Sequence, residues 1–134
     1  MTTFDDLLSI VTDPMISPDG WGDYYLEVAI ELAQKLSQSG EIQECLQHLP
    51  LLDQEAQIRL IQVITNFPSS QLFEPLLGLL VEADGELAEV LIDGLRTWSL
   101  NQEQKQQLLL ISKKFRGQSK LLDMVINELN ITIR

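Results

Sequence analysis

Apolar residues along this chain recur at steps of three and four, and no stretch alternates with period two between hairpin turns. The pattern predicts an all-α protein with no β-sheet. Thr3-Phe4-Asp5-Asp6 fits a helix start, with a Thr cap and acids at the positive end of the macrodipole, and Pro14 stops the Leu7, Leu8, Val11 stripe. MISPDGWG then reads as a loop, and its Trp21, set between two glycines, either folds back over a helix end or stands out as an anchor. From Asp23 to Ser37, Tyr25, Ala29, Ile30, Ala33 and Leu36 form one stripe opposite Glu27, Glu31, Gln34 and Lys35. Gly40 closes that helix.

Ile42, Cys45, Leu46 and Leu49 mark a short helix ended by Pro50, and Asp53 caps another running to about Asn66, which Pro68 stops. Ser69-Ser70 and Pro75 open the next, with Pro75 in its first turn and Leu76, Leu77, Leu80 and Val81 facing inward. Asp84-Gly85 turns the chain, and Leu87 to Trp98 returns antiparallel. Asn101 with Gln104 forms a capping box for a helix near 102–114, whose core side is Leu108, Leu109, Ile111 and Phe115. Gly117 breaks it, Leu121 to Leu129 supplies the last helix, and the β-branched ITIR end is expected to fray.

The pattern also repeats. At a step of 31, one row runs Ala29, Leu60, Leu91, Leu122, a second Ala33, Ile64, Leu95, Ile126, and a third Leu36, Phe67, Trp98, Leu129. A helix pair with an apolar face it cannot bury alone must stack on its neighbours. The expected organisation is one domain over 1–134, built from antiparallel pairs at about 3–37, 41–66, 70–98 and 102–129.

The stretch Pro75-Leu76-x3-Leu80-x3-Asp84-Gly85-x-Leu87-x2-Val90-Leu91-x2-Gly94-Leu95 resembles the HEAT-like repeat family, including its phycobilisome-lyase-type members. The family's turn Asp is matched at Asp84 and, one repeat earlier, at Asp53; its Arg before the second helix's core run is matched only at Arg59. The resemblance is sharpest over residues 45–98. It implies a right-handed α-solenoid of about four helix pairs that serves as a protein-binding scaffold or adaptor. Some relatives act as chromophore lyases together with partners.

Charge changes the picture more than composition does. The 134 residues carry 20 acids against 9 bases, a net charge of −11, and the imbalance is uneven. Residues 1–95 hold 17 acids against Lys35 and Arg59, a balance of −15, whereas residues 96–134 hold seven bases against Glu103, Asp123 and Glu128, a balance of +4. Such a field repels free nucleic acid and anionic membrane; it either draws basic partners or serves solubility alone. No apolar run reaches the length of a membrane span, and the N-terminus carries acids where a secretory signal carries Lys or Arg. A single cysteine, Cys45, at a core position of the repeat, excludes an internal disulfide and fits a cytoplasmic protein.

Chemistry is sparse. His48, the one histidine, lies three residues from Cys45, and that pair is the sole nucleophile–base candidate; His48 reads as a helix-end side chain and Cys45 as a small buried hydrophobe. Gly20-x-Gly22 lacks the Lys-Ser/Thr of a phosphate loop, and Asp5-Asp6 and Asp19/Asp23 do not match a calcium loop. No catalytic residue, metal or cofactor is expected.

The functional lead is instead the face of the second helices that the core rows do not use: Glu27 and Glu31, then Glu55, Ile58 and Gln62, then Glu86, Glu89 and Asp93. Acids at i,i+4 repel one another, so retaining them suggests a ligand for them. The basic run Lys113-Lys114-x-Arg116-x3-Lys120 either binds an acidic group or complements a helix-end dipole. The expected function is a non-enzymatic interaction module binding a basic partner protein, such as an inhibitor or immunity protein against a basic toxin or nuclease. The alternative is an accessory or assembly subunit of a larger complex, for instance a pigment–protein complex, lyase-like only with a partner. Neither nucleic acid nor membrane is an expected partner.

Overall fold

In the computed structural model, which describes residues 2–132, every regular element is helical, and no strand occurs among the described residues. The chain divides into two compact units, Met1–Phe67 and Pro68–Arg134.

In the first unit, α1 (Thr3–Val11) starts one residue earlier than the sequence predicts. Thr2 is its N-cap: the Thr2 hydroxyl accepts from the Asp5 amide and the Asp5 carboxylate accepts from the Thr2 amide, a reciprocal box. Hydrogen bonding to the Thr2 amide, and then to the Thr2 side chain, holds the Asp5 carboxyl below the usual carboxylate range.

The expected loop 13–22 is partly helical. Ser17 caps the single turn α2 (Pro18–Gly20), with Pro18 at the first position, where a missing N–H costs nothing. A π turn, Trp21–Tyr25, follows, and the Leu26 amide donates to the Trp21 carbonyl as α3 (Leu26–Ser39) begins. The wider turn changes the register. Trp21 becomes buried, while Tyr25, assigned to the inward stripe, is left 41 % exposed. Gly40 ends α3 at φ +78°, with Glu41 N–H donating to the Leu36 carbonyl and Gly40 N–H to that of Ser37, a pairing that needs a left-handed residue.

The short α4 (Glu44–His48) and a 3₁₀ turn lead to α5 (Gln54–Ile64), capped by Asp53 as predicted. α1 packs on both α3 and α5, and α3 packs on α5. Phe4, Leu7 and Val11, Ala29, Ala33 and Leu36, and Ala56, Leu60, Ile61, Val63 and Ile64 are the buried apolar side chains these three helices contribute.

In the second unit, α6 (Ser70–Glu82) is capped by Ser69. Pro75 lies at its sixth residue rather than in the first turn, and is tolerated on the exposed side. Val81, expected inward, sits in the last turn and is 50 % exposed. Ala83 and Asp84 link α6 to α7 (Gly85–Leu95), which packs against it. α8 (Gln102–Ser112) begins with the predicted Asn101–Gln104 box. It packs on α9 (Lys120–Thr132), which also contacts α7. α9 runs beyond Leu129 to Thr132; Ile133 and Arg134, the end of the segment expected to fray, lie outside the described residues.

Of the twelve positions in the three sequence rows, all are buried except Phe67, which is partly exposed. No helix among the described residues is long and apolar enough to cross a membrane.

Candidate functional site

The predicted acidic positions fall on α3, α5 and α7, and the structure divides them by what they touch. On α3, Glu27 and Glu31 are exposed one turn apart. On α7, Glu86 is exposed and Glu89 half-exposed. Among the described residues no cation lies within pairing distance of these four carboxylates. The remaining positions have intramolecular work. Asp93 accepts from Arg96 Nε at 2.9 Å, and Arg96 reaches on to Glu128 of α9 at 3.4 Å. Glu55 accepts from Arg59 Nη2 at 2.9 Å, and Gln62 Oε1 accepts from the Trp21 indole N–H at 2.8 Å. Ile58 is half-buried between them in sequence.

The sequence reading missed Arg59 as a centre of organisation. It is 5 % exposed, its guanidinium carbon lies 5.3 Å from the Trp21 ring centroid, and it donates to the backbone carbonyls of Ile16 at 2.8 Å and Asp13 at 3.3 Å. The Asp13 carbonyl also takes the Ile16 amide at 3.3 Å, and the planar fork of the arginine reaches this carbonyl and that of Ile16 at once. Trp21 is thus folded back against α5 rather than held out. A lone Arg in an otherwise base-poor half of the chain was the available signal.

The basic run is exposed at Lys113, Lys114, Arg116 and Lys120. Lys114 Nζ donates to the Val81 carbonyl in the last turn of α6 and lies 4.9 Å from the Phe115 ring centroid. One member of the run therefore meets the negative end of a helix.

Cys45 is fully buried, and burial, followed by the neighbouring Glu44 charge, pushes its thiol up from 9.0 to about 12. His48, half-buried in the last turn of α4, packs its ring against Phe4 at a 55° tilt with centroids 4.7 Å apart. No hydrogen bond joins the two among the described residues. A protonated, buried thiol without a base is a packing group, not a nucleophile. Native protein should leave Cys45 unmodified by an aromatic disulfide reagent at pH 8, on a timescale where urea-unfolded protein reacts fully; prompt stoichiometric labelling would contradict the burial. Because the folded pKa lies above the unfolded one, the stabilisation is present below pH 9 and is lost as pH rises towards 12. Between pH 9 and 10 the loss should be about 1 kcal/mol, and Cys45→Ala should abolish that slope.

A groove of ≈ 330 Å³ in the second unit is lined by Ser69, Phe73, Trp98, Leu100 and Gln104 among others. None of its lining residues is charged, so it offers shape and hydroxyls but no acid, base or anchored ion. Among the described residues, no group of three or more His, Cys, Asp or Glu side chains could hold a metal ion. No protein-family model, curated protein or solved structure matches the chain.

Proposed function

We propose that this chain is a non-enzymatic interaction module, a HEAT-like solenoid of four helix pairs in one domain, whose acidic helical faces engage a basic partner protein. The observation that carries the reading is the pair of carboxylate sets Glu27/Glu31 and Glu86/Glu89. Each set shares a helix face, each is open to solvent, and neither meets a cation among the described residues. Like charges at the i,i+4 spacing of Glu27 and Glu31 weaken a helix by a few tenths of a kcal/mol, a cost that a cationic ligand would reverse. The Met1–Phe67 unit holds eleven acids against Lys35 and Arg59, a balance of −9, which would accelerate encounter with a positive protein. An inhibitor or immunity protein against a basic toxin or nuclease is the form in which such steering matters most.

The test is affinity capture with the tagged full chain, followed by binding kinetics on the recovered partner. Converting Glu27, Glu31, Glu86 and Glu89 to Lys should slow association by about ten- to a hundredfold, and raising the salt should slow the parent similarly. A partner bound with unchanged rate constants in both experiments would sink the proposal.

A further inference from the structure

The π turn and the first turn of α3 carry an exposed apolar flank that the fold does not use. Tyr24 is 73 % exposed, Tyr25 41 % and Val28 46 %, within five consecutive residues. The other large apolar side chains left in solvent, such as Leu51, Leu110 and Met124, occur singly along the sequence.

The clustering has a local cause. The π turn Trp21–Tyr25 swings Trp21 into the core and leaves Tyr24 outward, one turn before Val28. Glu27 and Glu31 are also exposed, and fall beside Tyr24 and Val28 on the outward side of the same helix; Asp23 precedes them, exposed as well. Lys35, one turn further on, forms no ion pair with Glu31. The result is a small tyrosine–valine surface rimmed by carboxylates.

We propose that this flank is the apolar anchor of the protein contact, and that it takes an arginine-bearing amphipathic segment of the partner. The inference rests on the acidic-face reading above and names where that contact is centred. An arginine suits the site on three counts. Its guanidinium stacks on a tyrosine face, its fork donates bidentately to a carboxylate, and its methylene stem covers a small aliphatic group such as Val28. Tyrosine and arginine are also the side chains that concentrate binding energy at interfaces. A second copy of this chain fits poorly, because a two-fold contact through α3 would bring Asp23, Glu27 and Glu31 against their own copies.

The probe is a synthetic amphipathic helical peptide of leucine and arginine, titrated into the ¹⁵N-labelled full chain, with oligoarginine as the purely electrostatic comparison. Saturable binding should shift amides centred on residues 23–31. Tyr24→Ser with Val28→Ser should weaken the amphipathic peptide at least about tenfold and oligoarginine, which loses only the stacking and stem contacts, by clearly less. Leu110→Ser with Met124→Ser, an equal apolar loss elsewhere, should change neither. Both pairs replace exposed groups, so the circular dichroism spectrum should be retained.

If Glu27→Lys with Glu31→Lys abolishes binding while Tyr24→Ser with Val28→Ser does not, the anchor is refuted and the acidic-face reading stands. Binding indifferent to salt and to those charge reversals overturns both. Shifts centred outside 23–31, or self-association at rising protein concentration that Tyr24→Ser with Val28→Ser removes, overturn the anchor in favour of another surface or a second copy.

Discussion

Arg59→Met will lower the stability of the Met1–Phe67 unit by about 3 kcal/mol, measured by urea denaturation with Trp21 as reporter in a Trp98→Phe background. Methionine keeps much of the stem volume and removes only the fork. The carbonyl of buried Ile16 then loses a donor at 2.8 Å, and that of Asp13 one at 3.3 Å. A buried carbonyl stripped of its partner costs ≈ 1–3 kcal/mol, and the lost stacking on Trp21 adds ≈ 1 kcal/mol.

The ion pair to Glu55 is a lesser contributor. Glu55 is 68 % exposed in its side chain, so the pair is screened, and Glu55→Gln should cost below about 0.5 kcal/mol. Arg59→Lys should fall between, because one ammonium cannot reproduce two divergent donors in a plane. The ordering Arg59→Met, Arg59→Lys, Glu55→Gln is the signature of backbone clamping. If Glu55→Gln costs as much as Arg59→Met, the residue acts through its salt bridge and the clamp is wrong.

Arg59 also marks where sequence stops being informative. Helical periodicity reports which side of a helix is apolar, so the buried positions Leu60, Leu91 and Leu122, and the exposed Glu27, Glu31 and Glu86, were legible one turn at a time. Caps at Asp53 and Asn101 were legible for the same reason, since each acts within three residues. What escaped was long-range. The Arg59–Ile16 bond spans 43 positions and the Trp21–Gln62 bond 41, and no local pattern encodes either. The Trp21 bond gives Gln62 an intramolecular partner. Glu55 and Asp93 acquire theirs locally, through an i,i+4 pairing with Arg59 and an i,i+3 pairing with Arg96. The π turn was hidden differently. A Pro- and Gly-rich stretch reads as a loop, yet Ser17-Pro18 is itself a helix start, and the extra residue in the next turn is what leaves Tyr24 and Tyr25 outside.

Phe73→Ala will have the larger effect, about 4 kcal/mol on the Pro68–Arg134 unit, followed by Trp98 fluorescence in a Trp21→Phe background. Phe73 is 1 % exposed in α6, and its ring centroid lies 6.4 Å from that of Trp98 at a 49° tilt. Truncation removes the transfer free energy of a phenyl group, opens a cavity and deletes an aromatic pair worth ≈ 0.5–1.5 kcal/mol. The ring also forms part of the groove wall, so water will reach the indole and its emission will shift to the red before any denaturant is added. Phe73→Leu refills most of the volume and should cost about 1–2 kcal/mol, with a smaller red shift. Small domains are stable by only ≈ 5–15 kcal/mol, so the alanine variant should show a visibly earlier midpoint while the Trp21-reported transition of the other unit, followed in a Trp98→Phe background, gives its own reading. A cost below about 1.5 kcal/mol with unchanged Trp98 emission would mean that α6 is not seated on Trp98 as the structure has it. The groove would then have no fixed wall, and any ligand role for it would fall as well.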